Sequence, residues 1–507
     1  MSRNLLKSVS LVSLMTFISR ILGFARDLIA AQIFGVGPSV DAFYIAFKIP
    51  NFMRNLFAEG SFSQAFVPVL SDYQQKNSKS EVLLFISHMF GLLSMILLII
   101  TILGVWRAHN LIDIFSPGLD PYRYQLATEM LRITFPYLML ISLTAFAGSI
   151  LNSYGKFGTP SFTPALLNVC LIITALGCAE YFTVPVESQA IGVLIAGFIQ
   201  LFFQLCALYR IGFLVRPKIN WQDQGVFRVL KLIVPALFGA SMGQLSILIS
   251  TILASFLVTG SISWLYYSER LAYFPLGIFG VALTTVILPH LSRQHAKKSE
   301  HEFSKALTWG VQWNLIIGMP ASIAMLLLSG PLIVSLFQYG KFSVHDVIMT
   351  QKSVITYAIG LQAFMLNKIL SSAFYARQDI RTPVKISTLS LGANIILSVI
   401  LVWPFAHAGL ALATSLASWM SVLALGFILY KNNIFIVHFK DWKKFLIQLM
   451  CANGILAVFL WLTSQELITW IHWSWQQRLL HISVLVISSC VVYIFYFWIT
   501  KSLPKLK

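Results

Sequence analysis

SRILGFARDLIAAQIFGVGPSVDAFYIAFKIPNFMRNLFAEGSFSQAFVPVL, residues 19–70, is apolar enough for a membrane interior yet contains Arg20, Arg26, Asp27, Asp41, Lys48, Arg54 and Glu59. A charge at the centre of a bilayer costs about 2.5–3.5 kcal/mol on insertion scales. Charges at this density therefore face a wet cavity, pair with one another or meet a charged substrate. Arg20 and Asp27 stand seven residues apart and share nearly one helix face, and Asp41, Lys48 and Asn55 repeat the interval. Two neighbouring helices are thus expected to turn polar stripes inward, with Gly23 and Pro50 loosening the backbone between the charges. The alternative is internal Arg–Asp pairing that only holds a bundle together. The excess of bases over acids on these faces favours the cavity.

Of the 507 residues, 57% are hydrophobic and 11% charged, more apolar than a water-soluble core of this length needs. The first apolar stretch is too long for a signal-peptide core and contains Arg20 and Arg26, so it is expected to stay in place. The net charge of +18 comes from Lys and Arg gathered between apolar spans, where the orientation rule for membrane proteins accounts for them. No basic patch interleaved with aromatics points to nucleic acid. Cys170, Cys178, Cys206, Cys451 and Cys490 sit in or beside apolar spans, lack CxxC or Cys/His ligand spacing, and read as core thiols.

At about 20 apolar residues per crossing, fourteen spans are expected near 8–33, 38–70, 82–106, 124–152, 160–182, 188–210, 226–258, 262–292, 304–329, 350–375, 383–403, 408–430, 443–463 and 479–500. With a cytoplasmic N-terminus, 24 of the 36 Lys and Arg fall in inside segments, 4 outside and 8 within spans. One missed helix would blur that ratio, so both termini are expected to be cytoplasmic. Sliding the chain by about 222 residues brings LIDIF at 111–115 onto LIVSL at 332–336 and VPVL at 67–70 onto LPHL at 288–291. Tyr154 with Thr159-Pro160 meets Tyr375 with Thr382-Pro383 in the same way. Six helices repeating as six keep their orientation, giving a parallel repeat about the membrane normal. The expected fold is an all-α polytopic membrane protein: a six-helix lobe at 1–220, a second at 221–436, and two further helices in 437–507. The linker IGFLVRPKINWQDQG, 211–225, separates the lobes, and KNNIFIVHFKDWKKF, 431–445, mixes lysines with aromatics like an anchor on an anionic leaflet.

The two halves differ where their chemistry is expected to lie. Opposite Arg20, Arg26 and Asp27 the second copy has no charge; it offers Glu269 and Arg270 in SWLYYSERLAYFPLG, with Lys352 and Lys368 further on. A cavity lined by Arg20, Arg26, Arg54 and Arg270 attracts anions, and guanidinium groups favour a phosphate or pyrophosphate held bidentately. Lys368, Lys48, Glu59 and Glu269 are expected to support it, whereas Arg132 and Lys352 near helix entries can snorkel. His290, His295 and His301 lack helical ligand spacing, and GxxxxGK[ST], HExxH and GxSxG are absent. No metal, cofactor or catalytic residue is expected, and the protein reads as a transporter rather than an enzyme.

SRILGFARD, DAFYIAFKIPNFMRNLFAEGSFSQAFVPVL, WLYYSERL, SLFQYGKF and FYARQDIRTPVKI resemble the MurJ (MviN) family, the lipid II flippases of peptidoglycan synthesis, and the likeness covers essentially the whole chain. The fourteen-helix count separates it from the twelve-helix drug exporters of the same multidrug/oligosaccharidyl-lipid/polysaccharide exporter superfamily. The resemblance implies a multi-pass protein of the bacterial inner membrane, serving cell wall biogenesis and cell shape. It implies two lobes in a V around a central cationic cavity that alternates between inward-open and outward-open states. The family's essential arginines fall on Arg20, Arg26, Arg54 and Arg270, with Ser19, Asp27 and Asp41 in the same motifs. Lipid II would then place its pyrophosphate among the arginines, its sugar and pentapeptide in the cavity, and its polyprenyl tail outside. The last two helices imply an apolar groove for that tail, which Trp442, Phe445, Phe459, Trp461 and Phe495 either line or turn to lipid. Membrane lipids and cell-wall synthesis machinery are the other implied partners.

Some relatives hold sodium through carboxylates in the second lobe. The seventh helix here, VFRVLKLIVPALFGASMGQLSILISTILASFL, has none, and Asn394 with Thr414 alone would coordinate sodium poorly. Coupling to membrane potential, about 2.3 kcal/mol per charge per 100 mV, is expected instead. The competing reading is an exporter of drugs, metabolites or another polyprenyl-linked oligosaccharide from the same superfamily, separated by the sign of the cavity. A scaffold without transport would not need eight basic groups inside spans.

Overall fold

The computed structural model describes residues 3–55, 62–436, 439–501 and 503–504. Every regular element among them is helical, as a bilayer requires of segments that satisfy their own backbone groups. Contacts divide the chain into two compact units, Met1–Ser263 and Trp264–Lys507.

The first unit holds α1 (Arg3–Phe34), α2 (Pro38–Arg54), α3 (Ser63–Lys76), α4 (Lys79–Trp106), α5 (Ala108–Phe115), α6 (Pro121–Thr134), α7 (Tyr137–Ser153), α8 (Gly158–Gly177), α9 (Glu187–Arg210) and α10 (Gln224–Ser255). Local chemistry sets the bounds. Ser78 and Glu81 form a capping box at α4, Asp120 accepts from Tyr122 and Arg123 N–H at α6, and Asp223 accepts from Gly225 and Val226 N–H at α10. Helix α10 packs on α2, α3, α4 and α5, so contacts group it with the first unit, whereas the division at 220/221 assigns it to the second lobe. Packing neighbours decide this grouping, and chain order does not reveal them.

Helix α11 (Ser261–Pro275) crosses the boundary and continues through a π-helical turn into α12 (Val281–Ala296). Then follow α13 (Glu300–Phe337), α14 (Val344–Ala376), α15 (Arg381–Lys431), α16 (Phe439–Thr463), α17 (Leu467–His472) and α18 (Trp475–Thr500). With 51 residues, α15 would be about 75 Å long if straight, more than twice a hydrocarbon core. It is broken beside Pro404, at Ala406 (φ 49, ψ −129), between the expected spans 383–403 and 408–430. Gly409 permits the tight return: a Cβ there would lie 2.1 Å from the Leu401 carbonyl oxygen.

Ten stretches of the described residues are long and apolar enough to cross a membrane, which makes this a multi-pass membrane protein. Certain helix ends recur in the two units. Phe213 N–H reaches Leu208 O at 3.0 Å with Gly212 at φ 72, and Ile434 N–H reaches Leu429 O at 2.9 Å with Asn433 at φ 54. Lys156 N–H on Leu151 O and Asp379 N–H on Phe374 O form a second such pair, at 2.8 and 3.0 Å. Each unit also has its own core: Phe66, Phe85, Phe146 and Ile150 in the first, Leu291, Leu307, Ile369 and Ala373 in the second. Of the cysteines expected in the core, Cys170 is buried, whereas Cys451 on α16 and Cys490 on α18 lie on exposed helix faces.

Arg478 fixes the last helix of the second unit. It is buried, and its guanidinium donates to the carbonyls of Trp470, Ile471, Val334 and Gln338 at 3.0, 2.7, 3.3 and 2.9 Å. The carbonyl ends of α13 and α17 converge there, so helix dipoles favour the cation. In the sequence Arg478 counts only as a residue of an outside loop.

Candidate functional site

The first unit gathers its charges on α1 and α2. Arg26 and Asp27 are both buried, with Arg26 Nε and Nη2 donating to Asp27 Oδ1 at 3.0 and 2.6 Å. Arg26 Nη1 donates to Asn168 Oδ1 at 3.1 Å, and Asn168 Nδ2 donates to Ser19 O at 3.1 Å. One amide on α8 thus ties the guanidinium to the α1 backbone. Gly23 lets the helices meet, since a Cβ there would lie 3.3 Å from Asn168 Nδ2. Asn168 was missed in the sequence. Its signal is a lone amide in the apolar run SFTPALLNVCLII, the composition of an interhelical hydrogen bond in lipid.

Ser19 is half-buried and Arg20 is exposed. On α2, Lys48 and Arg54 are half-buried, and Arg54 Nε donates to Asn51 Oδ1 at 3.3 Å. Glu59 lies outside the described residues. Asp41, also on α2, is fully buried and accepts from Gly260 N–H at 2.7 Å, Ser263 N–H at 2.9 Å and Ser263 Oγ at 2.6 Å. Its carboxylate holds the first turn of α11, where the helix dipole favours a negative charge. Buried Arg123, which also donates to Asp120, brings Nη1 within 3.6 Å of Asp41. The sequence placed Arg123 in an outside segment and gave it no role.

In the second unit Glu269 is half-buried and Arg270 exposed, with Nη2 donating to Tyr266 Oη at 3.1 Å and the guanidinium 4.9 Å from that ring's centroid. Lys368 and Lys352 are exposed on α14, as is Arg132 on α6. Trp264 Nε1 donates to Asp346 Oδ1 at 2.9 Å, an anchor that sequence reasoning did not single out. An apolar groove of about 700 Å³ runs along α16, lined by Phe435, Trp442, Leu446, Ile447, Met450 and Cys451 together with Lys443. Phe445 is buried, Phe459 half-buried, and Trp461 and Phe495 are exposed.

The profile of the family described as "Lipid II flippase MurJ" matches residues 30–487. The chain belongs to the MurJ family. It is 42% identical over 469 residues to a probable lipid II flippase MurJ of Buchnera aphidicola subsp. Acyrthosiphon pisum, covering 92% of each chain. A probable lipid II flippase MurJ of Vibrio cholerae serotype O1 is 40% identical over 495 residues, covering 96% of this chain and 94% of that one. Among solved structures, a lipid II flippase MurJ in an inward closed conformation superposes with a TM-score of 0.82 at 29% identity, over 97% of this chain and 98% of that one. An inward-facing MATE family transporter of the MOP superfamily gives a TM-score of 0.66 at 16% identity, covering 82% and 94%, a likeness of fold alone. MurJ membership makes the chain a transporter rather than an enzyme.

Proposed function

We propose that the chain carries lipid II from the cytoplasmic to the periplasmic leaflet of the bacterial inner membrane by alternating access through a central cationic cavity. The MurJ family match over residues 30–487 carries this reading. Arginines on membrane helices supply the planar donors that a polyprenyl-linked pyrophosphate needs. Arg20, Arg26, Arg54 and Arg270 grip it, with Lys48 and Lys368 adding positive potential. Asp27 offsets the charge of Arg26 and, with Asn168, orients it. Asp41 acts on the site indirectly, by holding the start of the helix that bears Arg270. The polyprenyl tail lies in an apolar groove such as the one beside Trp442. Membrane lipids surround the spans, and cell-wall synthesis machinery receives the product.

The proposed topology has fourteen crossings. Counting the broken α15 twice and adding α1, the α2–α3 pair and α10 brings the ten apolar stretches to that number. Two six-helix lobes, 1–220 and 221–436, are followed by a pair in 437–507, and the matching helix ends at 208 and 429 support a parallel repeat. The Lys and Arg distribution puts both termini in the cytoplasm. Single cysteines replacing Pro117, Thr183 or Lys341 in a cysteine-free background should react with an impermeant thiol reagent from the periplasm. Those replacing Asn77, Gln222 or Lys297 should not, and external reaction at Gln222 would overturn the proposed crossings of the first lobe.

Membrane potential drives the cycle in this proposal. Asn394 Nδ2 donates to Thr414 Oγ1 at 3.3 Å, so the two side chains considered for sodium are bonded to each other. An amide and a hydroxyl alone coordinate a hard cation poorly. Depleting the protein in its host should make lipid-linked wall precursor accumulate on the cytoplasmic face. Unchanged precursor on that face after depletion would refute the proposal.

A further inference from the structure

We propose that residues 213–222, the strap joining α9 to α10, dock the headgroup of an anionic phospholipid in the leaflet facing the start of α4. The strap is built onto α4. Lys218 N–H donates to Ser87 O at 3.1 Å, Ser87 Oγ donates to Arg216 O at 2.5 Å, and His88 pairs with Asp223 at 2.7 Å. Gly91 makes the approach possible, because a Cβ there would lie 2.2 Å from the Lys218 carbonyl oxygen. At the strap's start, Phe213 returns its N–H to Leu208 O and lies under Lys79, 5.3 Å from its Nζ.

The strap sits at headgroup depth. Helix α4 ends at Trp106, whose exposed indole suits an interface, and about 20 residues of helix cover a 30 Å hydrocarbon core. Counting back from Trp106 puts the opposite boundary near Ser87, where the strap is attached. Leu214, Ile219 and Trp221 are 45%, 55% and 59% exposed, and Arg216 and Lys218 are exposed between them. Apolar side chains beside cations at that depth match the acyl boundary and the phosphate of one lipid. The acids nearby are already engaged. Asp223 holds His88, Glu81 is bonded to Ser78, and Asp72 lies 2.7 Å from both Lys76 and Arg228, which hold its carboxyl below the usual range. Arg216 and Lys218 make no ion pair among the described residues. An acidic protein partner would account for the cations but not for three apolar side chains at acyl level.

The site is independent of the flippase reading and is tested by lipid binding alone. Full-length protein in neutral detergent would be titrated with phosphatidylglycerol and phosphatidylcholine and its bound lipid read by native mass spectrometry. The wild type should retain phosphatidylglycerol preferentially. Each headgroup-facing cation contributes roughly a fivefold gain in affinity, so Arg216→Gln with Lys218→Gln should weaken phosphatidylglycerol about 25-fold. Lys297→Gln with Lys298→Gln, on an exposed turn of the second unit, should change little. Gly91→Leu, which pushes the strap off α4 while keeping its charges, should weaken retention as well. Wild-type retention in the Arg216/Lys218 variant or in Gly91→Leu would overturn the proposal, as would an equal loss in the Lys297/Lys298 variant.

Discussion

Arg26→Ala is expected to lower both abundance and activity, and adding Asp27→Asn should restore the abundance alone. Asp27 is 2% exposed and takes two hydrogen bonds from Arg26 on one carboxylate oxygen. Removing one partner of a buried pair costs about 3–5 kcal/mol, because the remaining charge loses its compensation, whereas removing both charges is often near neutral. Melting in detergent should therefore fall in Arg26→Ala and recover in the double variant. Growth support should not recover, since the guanidinium proposed to grip the pyrophosphate is still missing. A double variant that supports growth would reduce Arg26 to a counter-ion for Asp27.

The second large effect separates recognition of a pyrophosphate from attraction to charge. Arg270 is exposed and held over Tyr266, so Arg270→Lys keeps a cation at an exposed position and should leave folding intact. Lysine keeps the charge but replaces a rigid fork of donors with a compact, strongly hydrated ammonium. Losing one charge-assisted hydrogen bond, about 1.5–3 kcal/mol, weakens binding roughly ten- to a hundredfold. The variant should insert normally and fail, or nearly fail, in complementation. Full activity would mean that the site senses charge alone.

Much of this was legible in the sequence because membrane helices advertise themselves. The long apolar runs located the helices, and the gap between the expected spans 383–403 and 408–430 falls where α15 breaks. The first-lobe charges stood out for the same reason, since charge in an apolar run is costly. What stayed hidden was partnership across long sequence separations. Nothing in α1 says that Arg26 meets Asn168, or in α2 that Asp41 caps a helix beginning at Ser261. Arg123 and Arg478 were discounted for a related reason: they stand where loops are expected, yet folding buries both, Arg123 within 3.6 Å of Asp41 on α2 and Arg478 among carbonyls of α13 and α17. Internal Arg–Asp pairing was open as an alternative, and geometry shows it between Arg26 and Asp27, alongside the bond from Arg26 to Asn168.

Movement of lipid II is the central claim, and reconstitution tests it most directly. Purified full-length protein would be placed in sealed vesicles carrying labelled lipid II, and the labelled headgroups in the outer leaflet read with a reagent that cannot cross. An imposed potential of either sign should make wild-type vesicles redistribute lipid II between leaflets well faster than protein-free vesicles, with Arg270→Lys vesicles close to the protein-free rate. Redistribution no faster than in protein-free vesicles under both signs of potential would contradict the account.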